Sequence, residues 1–211
     1  MSGPETPRLL ALALDPSVRT DDDAVSERVL DAALSLSAAS GLRHLTMDDV
    51  ARKAGVGRMT VYRRFAGKAA LVDALAVREC RRCLAVVAAA IDPDAAVVDR
   101  IATMFVTVLR VIREHPLLER LARHEPEALL AELTRDNSLV FRLVREFLVQ
   151  RVREAEAAGE LGGVDAEVAA ELGLRLGASF VLMPDSVLPL DDESATRETV
   201  SALLAPVLAP A

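Results

Sequence analysis

The stretch Thr46 to Lys68, TMDDVARKAGVGRMTVYRRFAGK, constrains what this chain can fold into more than any other. Gly55-Val56-Gly57 breaks it in two, because glycine tolerates a left-handed backbone and Val56 can point inward between the flanking segments. Ahead of the break, Thr46 can cap a helix, and Asp49 completes a capping-box pattern. Leu45 and Val50 stand where a hydrophobic staple packs, and Val50 and Ala54 share one face at i, i+4 spacing. Beyond the break, a helix from about Arg58 to Phe65 is too short to be stable alone. Val61 and Phe65 must hold it against its neighbours. The spacing therefore predicts two short helices joined by a glycine turn, with a third starting at Lys68.

On a helical wheel of about 100° per residue, Val61 and Phe65 fall together and mark the buried side of the second helix. Met59, Thr60 and Arg63 fall opposite, with Tyr62 and Arg64 on the flanks. A buried stripe, an exposed trio and polar flanks suit a helix that enters the DNA major groove. The trio would meet base edges and the flanks the phosphate rails. Taken alone, such a helix would also fit an ordinary solvated surface. The capping pattern, glycine turn and aromatic flank together favour the DNA reading.

Charge is divided in the same sense. From Arg43 to Arg82 there are ten Lys/Arg against four Asp/Glu, while the whole chain carries a formal charge of −7. A basic head on an acidic body orients a protein on DNA and discourages the body from sticking to it.

The run LTMDDVARKAGVGRMTVYRRFAGKAALVDAL resembles the helix-turn-helix of the TetR/AcrR family of transcriptional repressors. The matching positions are Ala51, Ala54-Gly55-Val56, Thr60, Tyr62, Phe65 and Lys68. The chain departs from the family at Gly57 and Gly67, where side-chain caps are usual, and at Arg64, where His is frequent. Glycine serves as a cap but supplies no side-chain oxygen. The resemblance implies an all-α fold: a flexible tail over 1–20, a DNA-binding head over 21–83 and a helical effector and dimerisation body over 84–211. It implies a cytoplasmic, ligand-responsive repressor that binds a palindromic operator as a homodimer, without metal or cofactor. The DNA-binding candidates are Thr46, Arg58, Met59, Thr60, Tyr62, Arg63, Arg64 and Lys68. In the family the last two helices pair with those of a second subunit, which points to Leu172, Leu176, Phe180, Leu203, Leu204 and Val207. A pocket for a small lipophilic effector would lie between the central helices, near Met104, Phe105, Phe141, Phe147 and Phe180. Plain core packing explains each of these five equally well.

The remainder reads as helices. Alanine and leucine dominate, aromatics are only 3% of residues, and no apolar run reaches the length of a membrane span. Pro4, Pro7 and Pro16 favour a loose tail, and RLLALAL is too short for a signal core. Asp21-Asp22-Asp23 precedes a helix running to about Ser40, its acids explained by the helix dipole rather than a metal. Gly41 ends that helix, whose core side is Val25, Val29, Ala32, Ala33, Leu36 and Ala39. A connecting helix runs from about Lys68 to Ala90. In it Cys80 and Cys83 form CRRC without the further ligands or setting of a zinc or redox site. Asp94–Glu114, Leu117–Arg123, Glu127–Leu133, Asn137–Ala158, a helix capped by Asp165 and ending near Met183, and Ser194–Leu208 complete the set. His115 and His124 read as helix-end histidines. On the fourth of these segments, Leu139, Val140, Leu143, Val144, Phe147, Leu148 and Val152 form the expected inner face.

Two other classes fit the chain less well. A metal-dependent helical enzyme needs carboxylates on facing helices within a cavity, whereas the DDD and DDE clusters sit at helix starts or in loops. The chain contains no nucleophile–base pattern, phosphate loop or H-E-x-x-H. A helical adaptor that never touches DNA would not need the basic Arg58–Lys68 face.

Overall fold

The computed structural model describes residues 21–135, 138–161, 163, 165–183 and 185–208. Among the described residues there are ten helices and no strand. They are α1 (Asp21–Ser40), α2 (Met47–Ala54), α3 (Arg58–Arg64), α4 (Lys68–Ala90), α5 (Val97–Glu114), α6 (Pro116–His124), α7 (Pro126–Leu133), α8 (Leu139–Ala157), α9 (Ala166–Leu182) and α10 (Glu193–Leu208). The fold is all-α, as the sequence implies. The expected tail over 1–20 lies outside the described residues, as does Asn137. No helix among those described is long and apolar enough to cross a membrane.

Apolar spacing on α1 buries Val29, Leu30, Ala32 and Ala33 against Val50, Ala51, Val61, Phe65, Leu71 and Leu75. Val25 and Leu36 pack at the edge of this cluster, whereas Ala39 is exposed. The cluster does not stop at the head: Leu117 and Leu121 of α6 are buried in it, and Ala128 of α7 packs on it. The aspartate triplet forms the first turn of α1 instead of preceding it. Gly41 follows α1 with φ +89°, and a Cβ there would run into the buried carboxylate of Glu125. Close approach and left-handed backbone both require glycine at this point.

Helix α4 packs against α1 at one end and against α5 and α8 in the body. Helix α5 packs on α10, and α8 on α9, around a smaller cluster of Val149, Ala166 and Ala170. Side-chain caps open several of the helices. Asp165 Oδ1 accepts from the Glu167 and Val168 N–H groups, Ser138 Oγ from Phe141, and Asp192 Oδ1 from Ser194 and Ala195. Helix α5 begins at Val97, three residues later than its sequence spacing predicts. The Asp94 N–H donates to Asp92 Oδ1 at 3.0 Å, and this Asx turn competes with the first helical turn. The expected inner face of α8 also needs correction. Leu139 is exposed at the helix start, and the apolar residues the helix buries are Val149 and Ala155. A short amphipathic pattern does not specify which flank of its stripe meets the neighbouring helix.

Cys80 and Cys83 are free, half-buried thiols one turn apart on α4. Burial pushes Cys80 up to about 12, with Cys83 adding to it, and pushes Cys83 up to about 11, with Glu79 adding to it. Thiolate is the reactive form. Alkylation by iodoacetamide at pH 8 is therefore expected to run at least about 100-fold slower in the native protein than in the urea-unfolded chain. Equal rates, followed by mass spectrometry, would contradict this.

Candidate nucleic-acid interface

The glycine turn forms as its residues dictate. Gly55 takes φ +65° in the left-handed region and its N–H bonds back to the Arg52 carbonyl, while Val56 packs on the head core. At the start of α2, Thr46 Oγ1 accepts from the Asp49 N–H at 3.1 Å. The reciprocal bond differs from a capping box: the Thr46 hydroxyl itself donates to Asp49 Oδ2 at 2.6 Å. That bond holds the Asp49 carboxyl below its ordinary value against desolvation, and Arg52 adds to the lowering. Leu45 and Val50, the staple pair, are both buried.

Helix α3 divides into the two sides that its wheel implies. Val61 and Phe65 are buried; Met59 is 79% exposed, and Arg63 is exposed beside it. Thr60, the third member of the exposed trio, is only half-buried, as is Arg64. Arg58 and Tyr62 are exposed, with the guanidinium carbon 5.4 Å from the centroid of the Tyr62 ring. Arg58 Nε also lies 2.9 Å from Asp48 Oδ1 of α2. Lys68, exposed at the start of α4, donates from Nζ to the Arg43 carbonyl at 2.8 Å. Of the eight candidates, Thr46 caps α2, Lys68 opens α4, and the other six lie on α3.

Much of the basic surplus of the head is internally paired. Arg43 meets Glu127, Arg52 meets Asp49, Arg58 meets Asp48, and Arg78 and Arg82 meet Glu27, Asp31 and Glu79. Among the described residues, Arg63 has no hydrogen-bond or ion-pair partner. It therefore keeps its donors free beside Met59, and a guanidinium fork is the side chain best matched to guanine or phosphate.

A second polar cluster lies where head meets body, and sequence reasoning missed it. Arg78 and Glu79 on α4 are both buried. Arg78 bonds Glu79 Oε1 at 2.7 Å and reaches Asp31 and Glu27 of α1. Across the cluster, His115 Nε2 lies 3.1 Å from Glu79 Oε2, while His115 Nδ1 accepts from the Leu118 N–H and caps α6. Because Nδ1 accepts, Nε2 carries the proton and donates to Glu79. No local spacing signals this link, since the partners come from three helices. The one available hint was a histidine directly before the proline that opens a helix.

In the body, the rings of Phe105 on α5 and Phe180 on α9 meet edge to face, with centroids 5.1 Å apart. Phe147 instead lies under the Arg151 guanidinium. Met104 and Phe141 are half-buried. Leu172, Leu176 and Leu203 are exposed, Leu204 is half-buried, and the Val207 side chain lies outside those described.

The family of bacterial regulatory proteins described as the tetR family matches residues 29–75, which span the paired short helices and their bracing helix. The HTH-type transcriptional regulator AqdR of Rhodococcus erythropolis is 32% identical over 151 residues, covering 71% of this chain and 67% of that protein. The uncharacterized HTH-type transcriptional regulator Rv1255c of Mycobacterium tuberculosis is 25% identical over 190 residues, covering 88% and 86%. Among solved structures, the TetR family repressor AlkX from Dietzia sp. strain DQ12-45-1b shares the fold, with a TM-score of 0.64 at 23% identity over 87% of this chain and 94% of that one. A glycine-turned pair of helices presenting an exposed basic surface, on an all-helical body shared with these regulators, makes this chain a member of the TetR family of DNA-binding transcriptional regulators.

Proposed function

We propose that two copies of the chain bind a palindromic operator and act as a ligand-responsive repressor in the cytoplasm. The observation that carries this reading is the α3 surface: Met59 and unpaired Arg63 face out, while Val61 and Phe65 anchor the opposite side. Met59, Thr60 and Arg63 would meet base edges. Thr46, Arg58, Tyr62, Arg64 and Lys68 would follow the phosphates. Residues 21–83 form the DNA-binding unit and 84–211 the dimerisation and effector unit, joined by α4 as a lever.

The dimer reading is supported by exposed Val168, Leu172 and Leu176 along α9, Met183 just past its end, and Leu203 on α10. One small head makes few phosphate contacts and binds weakly. Pairing two heads makes the second contact nearly intramolecular, so their spacing controls affinity. A lipophilic effector bound between the central helices, near Met104, Phe105, Phe141, Phe147 and Phe180, would favour a body conformation with the wrong spacing and release DNA.

Selecting duplexes from a random-sequence pool tests the reading, with an inverted repeat as the expected consensus. Absence of any sequence-dependent, salt-sensitive binding would overturn it. Within that assay, Arg63→Ala is expected to weaken binding to the selected duplex by about 1–3 kcal/mol, the worth of one good bidentate base contact. Binding to scrambled duplex would change much less. An unchanged ratio between the two would remove Arg63 from base readout.

A further inference from the structure

The two helices that follow glycine caps in the head share a device. Gly57 and Gly67 give α3 and α4 no side-chain cap. In each case the first helical residue is a cation that reaches back across the head: Arg58 to Asp48 of α2, and Lys68 to the Arg43 carbonyl. We propose that Asp48 is a positioning residue for DNA recognition: its carboxylate fixes Arg58, and through Arg58 the uncapped start of α3. The inference rests on the DNA reading above and deepens it.

The geometry makes Asp48 specific. Its Oδ1 takes the Nε edge of Arg58 at 2.9 Å, and the same guanidinium stacks 5.4 Å over Tyr62, one turn along α3. The arginine is thus held at two points, on α2 and on its own helix. The neighbouring carboxylate, Asp49, is occupied by Thr46 and Arg52 and cannot take its place. Both Asp48 and Arg58 are largely exposed, and exposed pairs add little to folding stability. Their effect is instead orientational. The seven-residue helix α3 has no side-chain cap hydrogen bond at Gly57 to fix its start. Without the tether, Arg58 and the Met59–Arg63 surface would sample orientations that do not match the groove, and small misplacements weaken directional hydrogen bonds.

A carboxylate on a DNA-facing surface repels phosphate, so its removal by Asp48→Asn would ordinarily tighten binding. If Asp48 positions Arg58, Asp48→Asn weakens binding instead, by about tenfold, the scale of a single charge-assisted hydrogen bond. The effect must vanish in an Arg58→Gln background, because a coupling acts only while both partners are present. The test measures binding of the wild type, Asp48→Asn, Arg58→Gln and the double variant to the duplex that the wild type selects, with circular dichroism confirming unchanged helicity. Weaker binding by Asp48→Asn, cancelled in the double variant, supports the tether. Equal or tighter binding by Asp48→Asn, or the same weakening in both backgrounds, overturns it. A wild type that selects no duplex overturns the DNA reading itself and is distinct from either result.

Discussion

Glu79→Ala should destabilise the folded protein by about 3 kcal/mol, the low end of the roughly 3–5 kcal/mol cost of removing one member of a buried ion pair. The carboxylate is buried between Arg78 on its own helix and His115 at the start of α6. Its removal leaves the guanidinium and the imidazole N–H facing an apolar gap. Asp31 and Glu27 still hold Arg78, which is why the low end is expected. For a chain of this size the melting temperature would fall by about 6–12 °C at fixed protein concentration. A fall under about 2 °C would show that the cluster is dispensable.

The same carboxylate gives a pH dependence. Burial pushes Glu79 up, but the His115 hydrogen bond and the charges of Arg78 and Arg82 outweigh it and hold the group below its ordinary value. A carboxyl depressed by folding contributes stability that is complete above its unfolded pKa and is lost as pH falls through the lower folded value. The gap between wild type and Glu79→Gln in urea melts should therefore be constant from neutral pH down to about 4.5, then narrow below it. A gap that widens on acidification would show that the carboxyl is raised instead.

The parts of this protein that were legible in its sequence are those governed by neighbours along the chain. The glycine turn, the Thr46 cap, the staple and the two sides of α3 all follow from residues within a turn or two of one another, and the structure bears them out. Several helix ends moved by one to three residues, and at the start of α5 a local competitor, Asp92, accounts for the shift. What stayed hidden depends on which helices meet. Leu117 and Leu121 look like any amphipathic pair, yet they complete the core of the head. His115 looks like a helix-end residue, yet it also binds Glu79 of α4. Asp48 looks like one more acid in a first turn, and only the placement of α3 against α2 brings it to Arg58. Apolar spacing defines a helix's apolar face but leaves its rotation and partner open. For that reason Leu139 falls on the inner face by pattern and outside it in the fold, and Leu172 and Leu176 could not be told from core leucines.

Those two leucines carry the remaining large effect. Leu172 is 58% exposed and Leu176 63%, on a helix whose opposite side buries Ala166, Ala170 and Leu174. At about 100° per residue, Val168, Leu172 and Leu176 fall within roughly 80° of one another, and exposed Met183 follows just past the helix end. One helix therefore carries two apolar sides, only one of which is covered within the chain. A contiguous apolar stripe of this kind on a monomer marks an interaction surface. A self-complementary stripe suits a twofold axis, which places each residue against its own copy or a near neighbour. The double variant Leu172→Glu, Leu176→Glu would bring four carboxylates to that axis, and the one cation on α9, Arg175, already pairs with Glu171. Light scattering should then report a monomer, while circular dichroism stays unchanged because neither leucine supports the fold within the chain. Affinity for the selected duplex should fall by about 10²–10⁴, the gain that linking two heads supplies. Binding to nonspecific DNA at low salt, which each head achieves alone, should fall far less. A double variant that remains dimeric and binds its duplex like the wild type would move the axis away from α9.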